Sequence, residues 1–315
     1  MTTFRFFHFP NCPLIYGLMM ALLPVFTASG QQSQATPYLD QAPPGNTPKK
    51  FAAGLISKND EYEFGSVFTA DGNEFFYGVD VGGRAEIRYT RLEEGRWREP
   101  AILLQSDTYG YNDPFLSPDE TKLYFISNQP LQDEGPPKDI DIWYIEKQGH
   151  AWSAPINAGA PVNSPMEEYY ISFTNKGILY FASNVHAEEG RSRNFDIYRA
   201  VPSGNSYAPP VALSKAINSP GYEADAFIAY DESYIIFSAG RREGLGEGDL
   251  YVSFRNENNV WSKAQNMGAL INTAGHELCP FVTKDGRYFF YTSNKDIYWI
   301  ETDAALTALR ETAIF

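Results

Sequence analysis

Four glutamates and one tyrosine occupy the same place in a repeating pattern: Glu63, Tyr111, Glu168, Glu223 and Glu277. Two residues after each come Gly65, Asp113, Tyr170, Asp225 and Cys279, which in an extended strand point to the same side as the residue before them. Four glutamates and two aspartates facing one small space would raise each other's pKa unless a cation or a basic group balanced them. Nearby basic candidates are His276, Arg241 and Arg242. Such a cluster has three possible uses. Two carboxylates can act as acid and base or nucleophile on a saccharide. A ring of carboxylates can hold Ca²⁺. Carboxylates with Tyr111, Tyr169, Tyr170 and Tyr222 can form a binding surface, the aromatics stacking on sugar rings.

A structural use competes with these. Three of the glutamates end an Asn-Ser/Thr-x-x-x-Glu pattern, Asn163 to Glu168, Asn218 to Glu223 and Asn272 to Glu277, which suits a carboxylate that braces a turn. The residues that break the repeat, Tyr111 with Asp113, Asp225, His276 and the Arg241-Arg242 pair, are therefore the more telling ones. Other motifs are weak. Gly244-Leu-Gly-Glu-Gly248 precedes a strand, so it lacks the helix N-terminus a phosphate loop needs. No Gly-x-Ser-x-Gly or His-Glu-x-x-His occurs, and Cys279 reads as a small buried residue.

The elements that must position these residues form a repeat. Turns anchored at Asp71, Asp119, Lys176, Asp231 and Asp285 follow one another at 48, 57, 55 and 54 residues. Each anchor lies between a short apolar strand and a second strand such as Lys122-Leu-Tyr-Phe-Ile126. A polar loop leads to a third strand, as in Asp141-Ile-Trp-Tyr144, and a fourth begins near an aromatic residue: Trp97, Trp152, Tyr207 or Trp261. Five such units predict an all-β propeller of five four-stranded blades. The last unit lacks its fourth strand, and Phe51-Ala-Ala-Gly-Leu-Ile-Ser57 is expected to supply it, removing two open edges. Loops at 129–138, 185–194 and 240–248 elaborate one rim, where a site is expected.

The expected division is a signal peptide over 1–30, a flexible linker over 31–49, the propeller over 50–302, and a short helix or tail over 303–315. The leader has Arg5, an apolar run from Leu14 to Ala28 and small residues at Ala28-Ser29-Gly30, with cleavage expected near Gly30. Its removal takes the formal charge from −14 to −15, because Arg5 is its one charged residue. So acidic a chain repels phosphate backbones, which excludes nucleic acid as a partner. No later segment is long and apolar enough to cross a membrane.

Ser117-Pro-Asp119, Lys284-Asp-Gly286, Leu123-Tyr-Phe125 with Ser127-Asn128, and the Asp-Ile-Tyr strands resemble the WD40-like PD40 repeats of TolB-like propellers over roughly residues 50–300. That resemblance implies a periplasmic or secreted protein that binds or scaffolds a glycan or an envelope protein. The alternative is a saccharide-active enzyme, a glycoside hydrolase or lyase, with carboxylates at the channel mouth and possible Ca²⁺ in the channel.

Overall fold

Each repeat folds around a turn that its own side chains stabilise. Asp119 accepts hydrogen bonds from Ser117 Oγ at 2.6 Å and the Thr121 backbone N–H at 3.2 Å. Asp285 does the same for Thr283 Oγ1 and the Arg287 N–H. The residue after the anchor takes a positive φ, so glycine occupies it in three turns, Gly72, Gly177 and Gly286. A strand entering such a turn must return antiparallel beside itself, and an apolar–aromatic sequence on both sides makes a two-face-buried pair.

The computed structural model describes residues 36–132, 134–149, 151–187 and 194–315, so the expected leader lies outside the described residues. The described chain is a propeller of five antiparallel blades. From the inside outward, blade one has strands Tyr62–Phe68, Glu74–Asp80, Ala85–Glu93 and Ala101–Leu104. Blade two has Tyr111–Leu116, Lys122–Ser127, Asp141–Gln148 and Ile156–Asn157. Blades three, four and five begin with Glu168–Phe173, Glu223–Ile228 and Leu278–Val282. The aromatics expected to open the fourth strands differ in role. Trp97 and Trp152 pair back onto the end of the third strand, and the true outer strand follows. No helix among the described residues is long and apolar enough to cross a membrane.

The N-terminal segment closes the ring, but by different residues than expected. Lys49 and Lys50 pair with Trp299 and Tyr298 of blade five, and the Phe51 N–H donates to Ile297 O at 2.8 Å. Residues 51–57 then turn rather than extend, with Ile56 N–H bonded back to Ala52 O. The segment read as a linker is also tied down. Tyr38 and Leu39 are buried, Tyr38 packing edge-on against Phe68 and Tyr288. Its composition, rich in proline and glycine, concealed two apolar anchors. At the other end a helix, Thr302–Glu311, buries Ala305 and Leu306, and Gln265 Nε2 of blade four donates to its Leu309 carbonyl.

One irregularity recurs in every blade and positions the site. The register of each innermost strand slips between residues 64 and 66, 112 and 115, 169 and 171, 224 and 227, and 278 and 281. At each slip one residue has a left-handed backbone: Gly65, Asp113, Tyr170, Asp225 and Cys279, with φ between 45° and 54°. A bulge adds a residue, bends the strand and breaks the two-residue alternation. The glutamates therefore do not share a face with the residues two places on, which corrects the parity assumed from sequence. Beyond the bulges the axis is filled: Phe115 lies 6.3, 6.3 and 6.0 Å from the rings of Phe173, Phe227 and Phe281.

Candidate functional site

The four glutamates are fully buried, and each belongs to its own turn. Glu168 accepts from Ser164 Oγ at 2.6 Å, the Ser164 N–H and Ser183 Oγ. Glu277 accepts from Thr273 Oγ1 at 2.7 Å, the Thr273 N–H and Ser293 Oγ at 2.7 Å. Glu223 is held by Ser219 in the same way and paired with Arg241 at 3.3 Å. Glu63 accepts the Lys58 N–H, and its Oε2 is buried without a hydrogen-bond partner among the described residues. The backbone N–H groups of these glutamates bond the residues that precede the third strand of the neighbouring blade: Lys295, Ile140, Phe195 and Gly248. They are blade-to-blade braces, and the Asn163, Asn218 and Asn272 side chains complete those of Glu168, Glu223 and Glu277 by bonding Ile142, Ile197 and Leu250. The carboxylates of Glu168, Glu223 and Glu277 therefore meet donors in separate turns rather than converging on one point. Burial raises Glu168 and Glu63 to about 7, against the pull of these donors. Glu277→Gln is expected to cost about 1–2 kcal/mol, since the amide gives up the stronger bonds a carboxylate accepts from the Thr273 N–H and the two hydroxyls. Urea denaturation measures it, and a neutral substitution would remove the bracing role.

What does converge at the channel mouth is the bulge residues. Asp113, Asp225 and Cys279, from blades two, four and five, bring two carboxylate oxygens and a thiol within 4.8 Å of one another. The Cys279 Sγ–H donates to Asp113 Oδ1 at 3.3 Å. Both aspartates are 7% exposed. Blade one leaves them room: a Cβ on Gly65 would lie 3.0 Å from Asp113 Oδ1. Blade three crosses beneath them, Tyr170 Oη donating to Pro280 O at 2.8 Å. A left-handed residue other than glycine is strained by about 1–3 kcal/mol, so four blades keep side chains where glycine would be easier.

Burial pushes Asp113 up to about 6 and Asp225 to about 7, Asp225 also feeling the negative charge of Asp113. Burial and the two aspartates push the Cys279 thiol well above its ordinary range, so it is an inert thiol and no nucleophile. Tyr62, Tyr169 and Tyr222 are half-buried and raised mainly by burial, and all three also feel the negative charge of Asp113 and Asp225. His276 is close enough to lower Asp225 and stands 6.5 Å from the Tyr222 ring. The trio offers too few oxygens for Ca²⁺, which takes six to eight.

No family model matches the sequence, and no curated protein matches it. Among solved structures, the chain is similar to TolB from Acinetobacter baumannii, with 13% identity and a TM-score of 0.45 over 75% of this chain. It spans about half of that protein, 53%. A putative TolB from Agrobacterium tumefaciens is 14% identical, with a TM-score of 0.44 over 73% of this chain and 69% of that one. A protein of unknown function from Dyadobacter fermentans is 12% identical, with a TM-score of 0.49 over 85% and 86% of the two chains.

The remaining sequence candidates divide. Arg241 is an internal group, stacked 4.5 Å from the Tyr251 ring and bonded to Ile217 O as well as Glu223. Arg242 is exposed and apart from these contacts. Tyr111 replaces the bracing glutamate of blade two, and its Oη donates to Gln129 Oε1 at 3.1 Å. Tyr62 was not singled out from sequence. Its signal is position, one residue before Glu63, as Tyr222 and His276 stand before Glu223 and Glu277.

Proposed function

We propose that this chain is an exported binding propeller of the cell envelope that takes a positively charged side chain of a protein partner into its channel mouth. The observation that carries the reading is the Asp113–Asp225 pair, which has no lysine or arginine bonded to it among the described residues and whose charge reaches three half-buried tyrosines. An ammonium or guanidinium group there would balance the carboxylates and stack on the rings, a cation–π contact worth about 0.5–2 kcal/mol. Export is supported by the apolar run and small residues of the N-terminal sequence.

Fluorescence anisotropy with labelled tetralysine and tetraarginine peptides tests this. Binding should weaken as pH falls below about 6, where the pair is protonated, and should drop at least tenfold in the Asp113→Asn/Asp225→Asn double variant. Equal affinity in the double variant would show that the peptides bind only the acidic surface.

A second reading has one observation in its favour: two adjacent carboxyls that retain a proton near neutrality are poised for acid–base work on a saccharide. It predicts turnover of an oligosaccharide that either single Asp→Asn change abolishes, which the binding reading does not.

A further inference from the structure

Blade two departs from the other four in the residue at the bracing-glutamate position, Tyr111, and a pocket of about 320 Å³ adjoins that departure. Its walls include Gln105, Ser106, Tyr109, Tyr111, Gln129 and Trp143; the rest are proline, alanine, leucine and one more glutamine. Not one described lining residue is charged, in a chain that is 20% charged and carries a formal −14. Where blades one, three, four and five place a glutamate, blade two places Tyr111, so the repeat's own carboxylate is absent here.

The walls are also polar in a particular way. Tyr111 and Gln129 are each 7% exposed and bonded to each other, which fixes an amide and a phenol in the floor. Tyr109 Oη donates to Gly135 O at 2.7 Å, tying the ring to the long loop of this blade and leaving its face half-exposed. Trp143 is buried, and its indole Nε1–H has no acceptor among the described residues. An unsatisfied buried donor costs about 1–3 kcal/mol, a cost a phenylalanine at this position would avoid.

We propose that this pocket binds a neutral saccharide. Amides and phenols with aromatic and aliphatic walls match a ring that carries hydroxyls on its edge and C–H groups on its faces. Among the described lining residues an anionic sugar would find no cation, and a cationic group would find no carboxylate. The site goes beyond the cation-binding reading and uses none of the channel-mouth residues, so either can fail without the other.

The test is calorimetric titration of the full chain with cellohexaose, maltohexaose and N-acetylchitohexaose, and with hexagalacturonate as the anionic comparison. At least one neutral oligosaccharide should bind, with an affinity indifferent to salt, and hexagalacturonate should not. Tyr109→Ala, at a half-exposed position, should weaken binding about tenfold or more. Tyr111→Phe, which removes the phenol from the floor, should weaken it several-fold, whereas a purely structural tyrosine would leave affinity unmoved. Failure of all three neutral oligosaccharides to bind, preference for hexagalacturonate, or binding that survives both substitutions would overturn the proposal. The Asp113→Asn/Asp225→Asn variant should bind the saccharide as the unaltered chain does, which separates this outcome from that of the channel mouth.

Discussion

Phe51→Ala is expected to destabilise the protein by about 3–5 kcal/mol and to make it aggregate on heating. Phe51 is fully buried, with ring centroids 5.1 Å from Phe290, 5.2 Å from Trp299, 5.3 Å from Phe75 and 5.7 Å from Phe68. Those four rings belong to blades one and five, so this one side chain joins the first and last blades of the ring. Only two residues, Lys49 and Lys50, pair with the blade-five edge, and a two-residue ladder holds little by itself. The Lys50–Asp296 ion pair at 2.6 Å is half-open to water on the lysine side and is worth about 0–1 kcal/mol. Closure therefore rests on the phenylalanine rather than on the strand. Urea denaturation of Phe51→Ala beside Lys50→Ala measures the contrast. Comparable small losses from both would mean that the backbone pairing, and not the packing, closes the ring.

The same residue marks how far the sequence could be read. The repeat of turns gave the number of blades, because aspartate, glycine and alternating aromatics are local signals. Closure was legible as a need, since an unpaired edge must be covered, but the register was not. Phe51-Ala-Ala-Gly-Leu-Ile-Ser57 has the look of a strand, and only packing against Phe68 and Phe290 decides that Phe51 ends the pairing. Tyr38 was hidden for a similar reason: proline and glycine around it describe the path of the chain, not what its side chains touch. At the site, sequence placed Asp113, Asp225 and Cys279 at equivalent positions but grouped them with glutamates that turn elsewhere. The bulge causes this, and its one visible trace was Gly65, a glycine at a position that demands a positive φ. Tyr109, Gln129 and Trp143 come from separate elements of blade two, and no spacing announces that they share a pocket.

Asp225→Asn is expected to make the protein more stable at alkaline pH, by about 2–4 kcal/mol near pH 8, and nearly unchanged near pH 3. The free carboxyls of an unfolded chain titrate near pH 4, whereas Asp113, Asp225, Glu63 and Glu168 hold their protons in the folded state up to about 6 or 7. Between those limits the native protein binds more protons than the unfolded chain, so its stability falls as pH rises and levels off above the folded-state values. Burial is the main cause for all four, and Asp225 has the added repulsion of Asp113. An asparagine cannot ionise, so it removes the part of the fall that belongs to Asp225 and relieves its neighbour. Urea midpoints at the two pH values, for the unaltered chain and the variant, give the difference directly. A variant less stable than the parent at both would mean that Asp225 is a structural acceptor and not a charge held at a cost. The functional reading adds a second arm, because a carboxylate kept where an amide is more stable is kept for something it binds. Tetralysine at saturating concentration should restore part of the parent's stability near pH 8, and should do nothing for Asp225→Asn, since a ligand stabilises only the state it binds.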